Sequence, residues 1–155
     1  MAARSTDRTN PQHARILLVD DNRNGLVARR SVLEELGYHI TATSDPFEAL
    51  SLFENGSFDL LITDYKMPKL DGLELIRKVR QSNTDVPIVL ISGFAETLGL
   101  TEDGTGSDAV VQKSSNEITH LVRAVARLLK KKAPKKPAAR VTPAVAEKAK
   151  TKGVS

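Results

Sequence analysis

The stretch LLITDYKMPKLDG, residues 60–72, decides the fold. Residues 59–63, DLLIT, are apolar without alternation, as a strand covered on both faces should be. The run ends on a lone carboxylate, Asp64. A Met67-Pro68 turn follows, and then Asp71-Gly72. A doubly covered strand belongs to a parallel sheet with helices on both sides. In such sheets, sites form at the carboxyl ends of strands, near a topological switch point. Asp64 stands at that place.

The rest of the chain repeats the strand–helix alternation in both directions. RILLVD (15–20) reads as a first strand and HITATS (39–44) as a second. PIVLIS (87–92) gives a fourth and DAVVQ (108–112) a fifth. Between them, residues 23–37 read as a helix closed by Gly37. Residues 45–56 read as a second, with Asp45 as cap, Pro46 in the first turn and Glu48 completing a capping box. Residues 73–82 give a third. The last helix carries Ile118, Leu121, Val122, Val125, Leu128 and Leu129 at a 3.6-residue period. Ser114 and Glu117 predict a capping box at its start. Between Ser92 and Asp108 lies GFAETLGLTEDGTGS, with four glycines. A short or loosely held helix near residues 95–101, then loop, is expected there.

Composition narrows the class. The 155 residues match the prior for one domain, long enough to bury a core without staples. There is no cysteine, so no disulfide framework exists and a reducing cytoplasm is compatible. His13, His39 and His120 lack metal-ligand spacing. No apolar run approaches the roughly 20 residues of a membrane helix, and the first residues lack the apolar core of a secretory signal. The net charge of +4 is uneven: −5 over residues 15–129, +8 over 130–155 and +1 over 1–14. An acidic body thus carries a basic tail.

Four strand ends bear polar residues: Asp20-Asp21, Asp64, Ser92 and Lys113. Clustered carboxylates raise one another's pKa values unless a cation intervenes. A hard divalent ion such as Mg²⁺ takes oxygen ligands and keeps waters, so a few carboxylates suffice. With the charge neutralised, one carboxylate can attack a phosphoryl donor and form an aspartyl phosphate. Phosphoryl transfer needs mainly positioning and charge stabilisation, which Lys113 and Ser92 would supply.

The order Asp20-Asp21, Asp64-Tyr-Lys-Met-Pro-Lys-Leu-Asp-Gly, Leu-Ile-Ser92-Gly and Gln-Lys113 resembles the receiver domain of two-component response regulators, over residues 14–130. The resemblance implies a five-stranded flavodoxin-like sheet of order 2-1-3-4-5 in three α/β/α layers, here with a weak or shortened fourth helix. It implies Asp64 as phosphoacceptor. Mg²⁺ would be held by Asp21, Asp64 and the backbone carbonyl of Lys66, with Asp20 acting mainly through water. Ser92 and Lys113 would contact the phosphoryl group. The donor would be a histidine kinase or a histidine phosphotransfer protein in the cytoplasm. The protein would catalyse only its own phosphorylation and dephosphorylation, and signal by a changed surface.

The chain departs from the family pattern in three places. Ser114 follows Lys113 where proline is usual, Val110 stands where an inward-turning aromatic is common, and the fourth helix is glycine-rich. Ordering of residues 95–107 is therefore expected to carry the signal. Lys66, two residues after Asp64, is placed to influence phosphoryl lifetime. Other readings fit less well. GTGSDA (104–109) matches a dinucleotide fingerprint but precedes a strand instead of opening a helix. A haloacid-dehalogenase-type phosphatase would need Asp-x-Asp, whereas Asn22 follows Asp20-Asp21. Residues 1–13 read as a disordered leader and 131–155 as a disordered Lys/Pro/Ala-rich tail. With no output domain in view, a stand-alone receiver is expected. The alternatives are a degenerate receiver acting as a docking module, and weak non-specific nucleic-acid contact through the tail.

Overall fold

A computed structural model describes residues 13–93 and 99–132. Five strands form one parallel sheet: β1 (Arg15–Val19), β2 (His39–Thr43), β3 (Leu60–Asp64), β4 (Ile88–Ser92) and β5 (Ala109–Gln112). Their spatial order is β2-β1-β3-β4-β5, the expected flavodoxin-like order. The helices are α1 (Arg23–Glu35), α2 (Pro46–Asn55), α3 (Gly72–Ser82), α4 (Glu102–Thr105) and α5 (Glu117–Lys132).

Successive strand residues point to opposite faces, and the core divides accordingly. Ile16, Leu18, Leu60, Ile62, Val89 and Ile91 face Leu33 of α1 and Leu121, Val125 and Leu128 of α5. Leu17, Val19, Leu61, Ile88 and Leu90 face Ala49 of α2 and Leu75, Ile76 and Val79 of α3. Both faces of β3 and β4 are buried along their whole length, which is why neither strand alternates in sequence.

The helix ends follow local chemistry, with two corrections. Asn22 caps α1 by accepting from Gly25 N at 3.1 Å, and Gly37 takes φ 102° to close it. Asp45 caps α2 as expected, accepting from Phe47 N at 2.9 Å. The expected box with Glu48 does not form: Asp45 N donates to Thr43 Oγ1 at 3.1 Å, and the Thr43 hydroxyl donates to Glu48. Nor does a box form at α5, where Glu117 turns its carboxylate toward Arg29. The expected fourth helix falls only partly on described residues. Residues 94–98 lie outside the described residues, so much of the 95–101 expectation, and of the signalling segment placed there, falls outside too. Residues 99–101 are not helical. Among the described residues a helical turn forms at Glu102–Thr105, where Thr101 accepts from Gly104 N at 3.1 Å and Gly106 closes at φ 82°. The leader falls on residues outside the description except for His13. Helix α5 runs to Lys132, two residues into the stretch read as tail.

Candidate functional site

The carboxyl ends of the three central strands bring the candidate residues together. Asp20 follows β1, Asp64 ends β3 and Ser92 ends β4, all buried; Asp20 is 1%, Asp64 3% and Ser92 1% exposed. Parallel pairing fixes their height. Asp64 is level with Ile91, and Tyr65 N donates to Ile91 O at 2.9 Å. Ser92 is level with Gln112, and Lys113 N donates to Ser92 O at 3.0 Å. That last bond sets where the Lys113 side chain starts. Its ammonium reaches Asp64 Oδ1 at 2.7 Å. The Ser114 backbone carbonyl in turn accepts from Glu117 N at 3.1 Å, holding the turn without a proline.

The loop after Asp64 shows why Asp71-Gly72 is there. Asp71 caps α3, accepting from Glu74 N at 2.9 Å. Gly72 N donates to Tyr65 O at 2.8 Å, and a Cβ on Gly72 would stand 2.4 Å from the Asp64 carbonyl oxygen. Any other residue would push α3 off the strand end. Met67 and Leu70 are buried below, and Lys69 between them takes φ 76°. A left-handed lysine costs about 1–2 kcal/mol, and such strain concentrates at functional sites.

Ligand atoms of Asp20, Asp21 and Asp64 lie within 4.8 Å of one another. Burial pushes the Asp64 carboxyl above the usual carboxylate range; the Asp20 charge adds to this, while Lys113 and Arg29 pull against it. Asp64 Oδ1 pairs with the Lys113 ammonium at 2.7 Å, and a carboxylate oxygen so engaged can still accept a second partner. Hard carboxylate oxygens with uncommitted lone pairs suit Mg²⁺.

Two residues here escaped the sequence reading. Arg29 of α1 is buried and contacts Asp20 Oδ2, and its Nε donates to Glu117 Oε2 at 2.5 Å. Burial works against its charge, but the Glu117 and Asp20 carboxylates outweigh this and raise its pKa above the guanidinium norm. The signal was in the spacing: Gly25, Arg29 and Leu33 recur every four residues on the stripe that turns inward.

A family model described as the response regulator receiver domain matches residues 16–126. The chain belongs to the response regulator receiver family. The receiver is 31% identical over 115 residues to the response regulator receiver protein CpdR of Brucella abortus, covering 74% of this chain and 96% of CpdR. It is 30% identical over 134 residues to a gliding motility regulatory protein of Myxococcus xanthus, covering 83% of this chain but only 17% of that much longer protein. The response regulator TrrA of Thermotoga maritima, solved in complex with Mg²⁺-BeF, superposes with a TM-score of 0.68 at 33% identity, covering 74% of this chain and 98% of TrrA. Receivers of this family are phosphorylated by histidine kinases or phosphotransfer proteins, and the receiver carries the acidic pocket and strand order that go with that role. Among the described residues no helix is long and apolar enough to cross a membrane.

Proposed function

We propose that the receiver acts as a Mg²⁺-dependent response regulator module that takes a phosphoryl group onto Asp64 from a phosphohistidine donor. The observation that carries this is the Lys113 ammonium 2.7 Å from Asp64 Oδ1 beside two further carboxylates. Asp21, Asp64 and the Lys66 carbonyl would hold the ion, with Asp20 behind them. Mg²⁺, when bound, neutralises charge between the carboxylates and the incoming phosphoryl oxygens. An Asp64 carboxylate oxygen attacks phosphorus, the P–N bond breaks, and its electron pair stays on the departing imidazole, which leaves neutral or takes up a proton. The Lys113 ammonium is placed to stabilise the phosphoryl oxygens, and the Ser92 hydroxyl stands at the neighbouring strand end. Hydrolysis of the aspartyl phosphate resets the site, so the chemistry is the receiver's own modification and its output a changed surface. The exchange is assigned to the cytoplasm, in keeping with a chain free of cysteine.

The test is incubation with Mg²⁺ and acetyl phosphate, read by intact mass, since the chain has no tryptophan to quench. One phosphoryl group on the wild type and none on Asp64→Ala is expected. An unmodified wild type, with and without chelator, would overturn the reading.

A further inference from the structure

Arg29 and Glu117, which form an ion triad with Asp20 behind the pocket, have no role in the scheme above. Arg29 is 6% exposed and lies between Asp20 and Glu117. Burying Asp20 and Arg29 with a partly buried Glu117 beside them is costly, and a well-packed apolar residue would serve packing better. Helix α1 also gives up a side chain to fit the triad. A Cβ on Gly25 would stand 2.9 Å from Asp20 Oδ2 and 3.0 Å from the Arg29 guanidinium. Glycine lowers the stability of a helix, so position 25 is unfavourable for α1 yet leaves room for the Asp20–Arg29 pair.

The triad also fixes how Asp20 is used. Asp20 Oδ1 accepts from Asn22 N at 2.9 Å, and Oδ2 is taken by Arg29. Both Asp20 oxygens are engaged by groups within the protein, whereas Asp64 Oδ1 pairs with Lys113, whose side chain is 37% exposed. The far side of the guanidinium holds Glu117 at the first turn of α5, four residues after Lys113. One cation therefore touches both the carboxylate cluster and the helix that follows the active-site lysine.

We propose that Arg29 is a positioning residue of the phosphotransfer site, an internal counter-ion that keeps Asp20 out of direct coordination and sets the cluster's affinity for a divalent cation, with Glu117 governing its strength. The inference rests on the reading of the cluster as a Mg²⁺ site. A fixed positive charge against one carboxylate offsets part of the repulsion within the cluster and opposes entry of a second cation. Glu117 draws the guanidinium back and moderates that opposition.

The test is calorimetric titration of the full chain with magnesium chloride at constant ionic strength, with Tyr65 fluorescence as a second readout. Arg29→Met is expected to tighten Mg²⁺ binding about tenfold. Glu117→Gln, which leaves the guanidinium wholly to Asp20, is expected to weaken it about threefold. Arg29→Lys, which keeps the charge, stays near the wild type. In the Arg29→Met background, Glu117→Gln changes little, because Glu117 acts through Arg29. A purely structural triad gives another pattern: both single variants lose stability and shift Mg²⁺ affinity in the same direction or not at all. Either of those results overturns the proposal. If Arg29→Met does not fold, Glu117→Gln decides alone, by weakening Mg²⁺ binding or leaving it unchanged. A wild type that binds no Mg²⁺ and takes no phosphoryl group from acetyl phosphate overturns the underlying reading, and is recognised because the unmodified protein itself fails.

Discussion

At the scale of single residues, the pocket trades stability for reactivity. Asp64 is a buried carboxylate whose pKa is raised by burial first and by Asp20 second. Asp64→Asn removes that charge and leaves Lys113 partly solvated, with 37% of its side chain exposed. The variant is expected to gain about 1–2 kcal/mol in metal-free urea unfolding and to lose phosphorylation entirely. The gain depends on pH. A carboxyl whose folded pKa is raised costs stability above that pKa and none below its ordinary value. The advantage of asparagine is therefore full at neutral pH and fades in mild acid, and paired unfolding curves at the two pH values check the sign. Gly72→Ala acts in the opposite direction. Its Cβ would meet the Asp64 carbonyl oxygen at 2.4 Å, so a loss of about 1–3 kcal/mol is expected, with slower phosphorylation because the strand end moves. Asp20, Asp64, Ser92 and Lys113 were legible in the sequence because each ends a strand. Arg29 and Glu117 were not, because a lone arginine on a helix and a glutamate after Ser114 have more ordinary readings as surface charge and cap. Only the fold brings them within 2.5 Å of each other.

At the scale of elements, the strands were readable to within a residue, the central β3 and β4 because burial on both faces makes them continuous apolar runs. Strand β3 shows the residual error. It was read as 59–63 and spans Leu60–Asp64; Asp59 instead accepts from Arg15 N at 2.8 Å, outside the ladder. The glycines between Ser92 and Asp108 dilute any period, so the turn at Glu102–Thr105 was not legible, and its deciding signal was the Thr101 cap. Removing that hydroxyl by Thr101→Ala is expected to cost about 1 kcal/mol, felt locally as faster amide exchange at Gly104 and Thr105. Leu33 is different in kind. It is fully buried between α1 and the sheet, and Leu33→Ala is expected to cost about 2–5 kcal/mol of global stability, seen as a lower urea midpoint.

At the scale of the whole molecule, charge and chemistry are separated along the chain. Residues 13–132 hold 15 Lys+Arg and 17 Asp+Glu, a net −2, although the full chain is +4. Truncation after Lys132 is expected to leave the phosphoryl yield and urea midpoint unchanged. It should also abolish retention on a cation exchanger at neutral pH, where the full chain binds and elutes with salt. The last two strands are aligned from both ends by bonds independent of what joins them. At one end Asp108 Oδ2 accepts from Ile88 N at 2.8 Å and from Arg80 at 2.9 Å. At the other, Lys113 N is tied to Ser92 O at 3.0 Å. An insertion after Gly99, ahead of the residues that pack or bond to the core from Leu100 onward, is therefore expected to leave the lysine in place. The position after Gly99, whose φ is 65° and whose Cβ direction meets nothing within 4 Å, is a graft point where a foreign binding peptide could ride on a phosphorylatable scaffold.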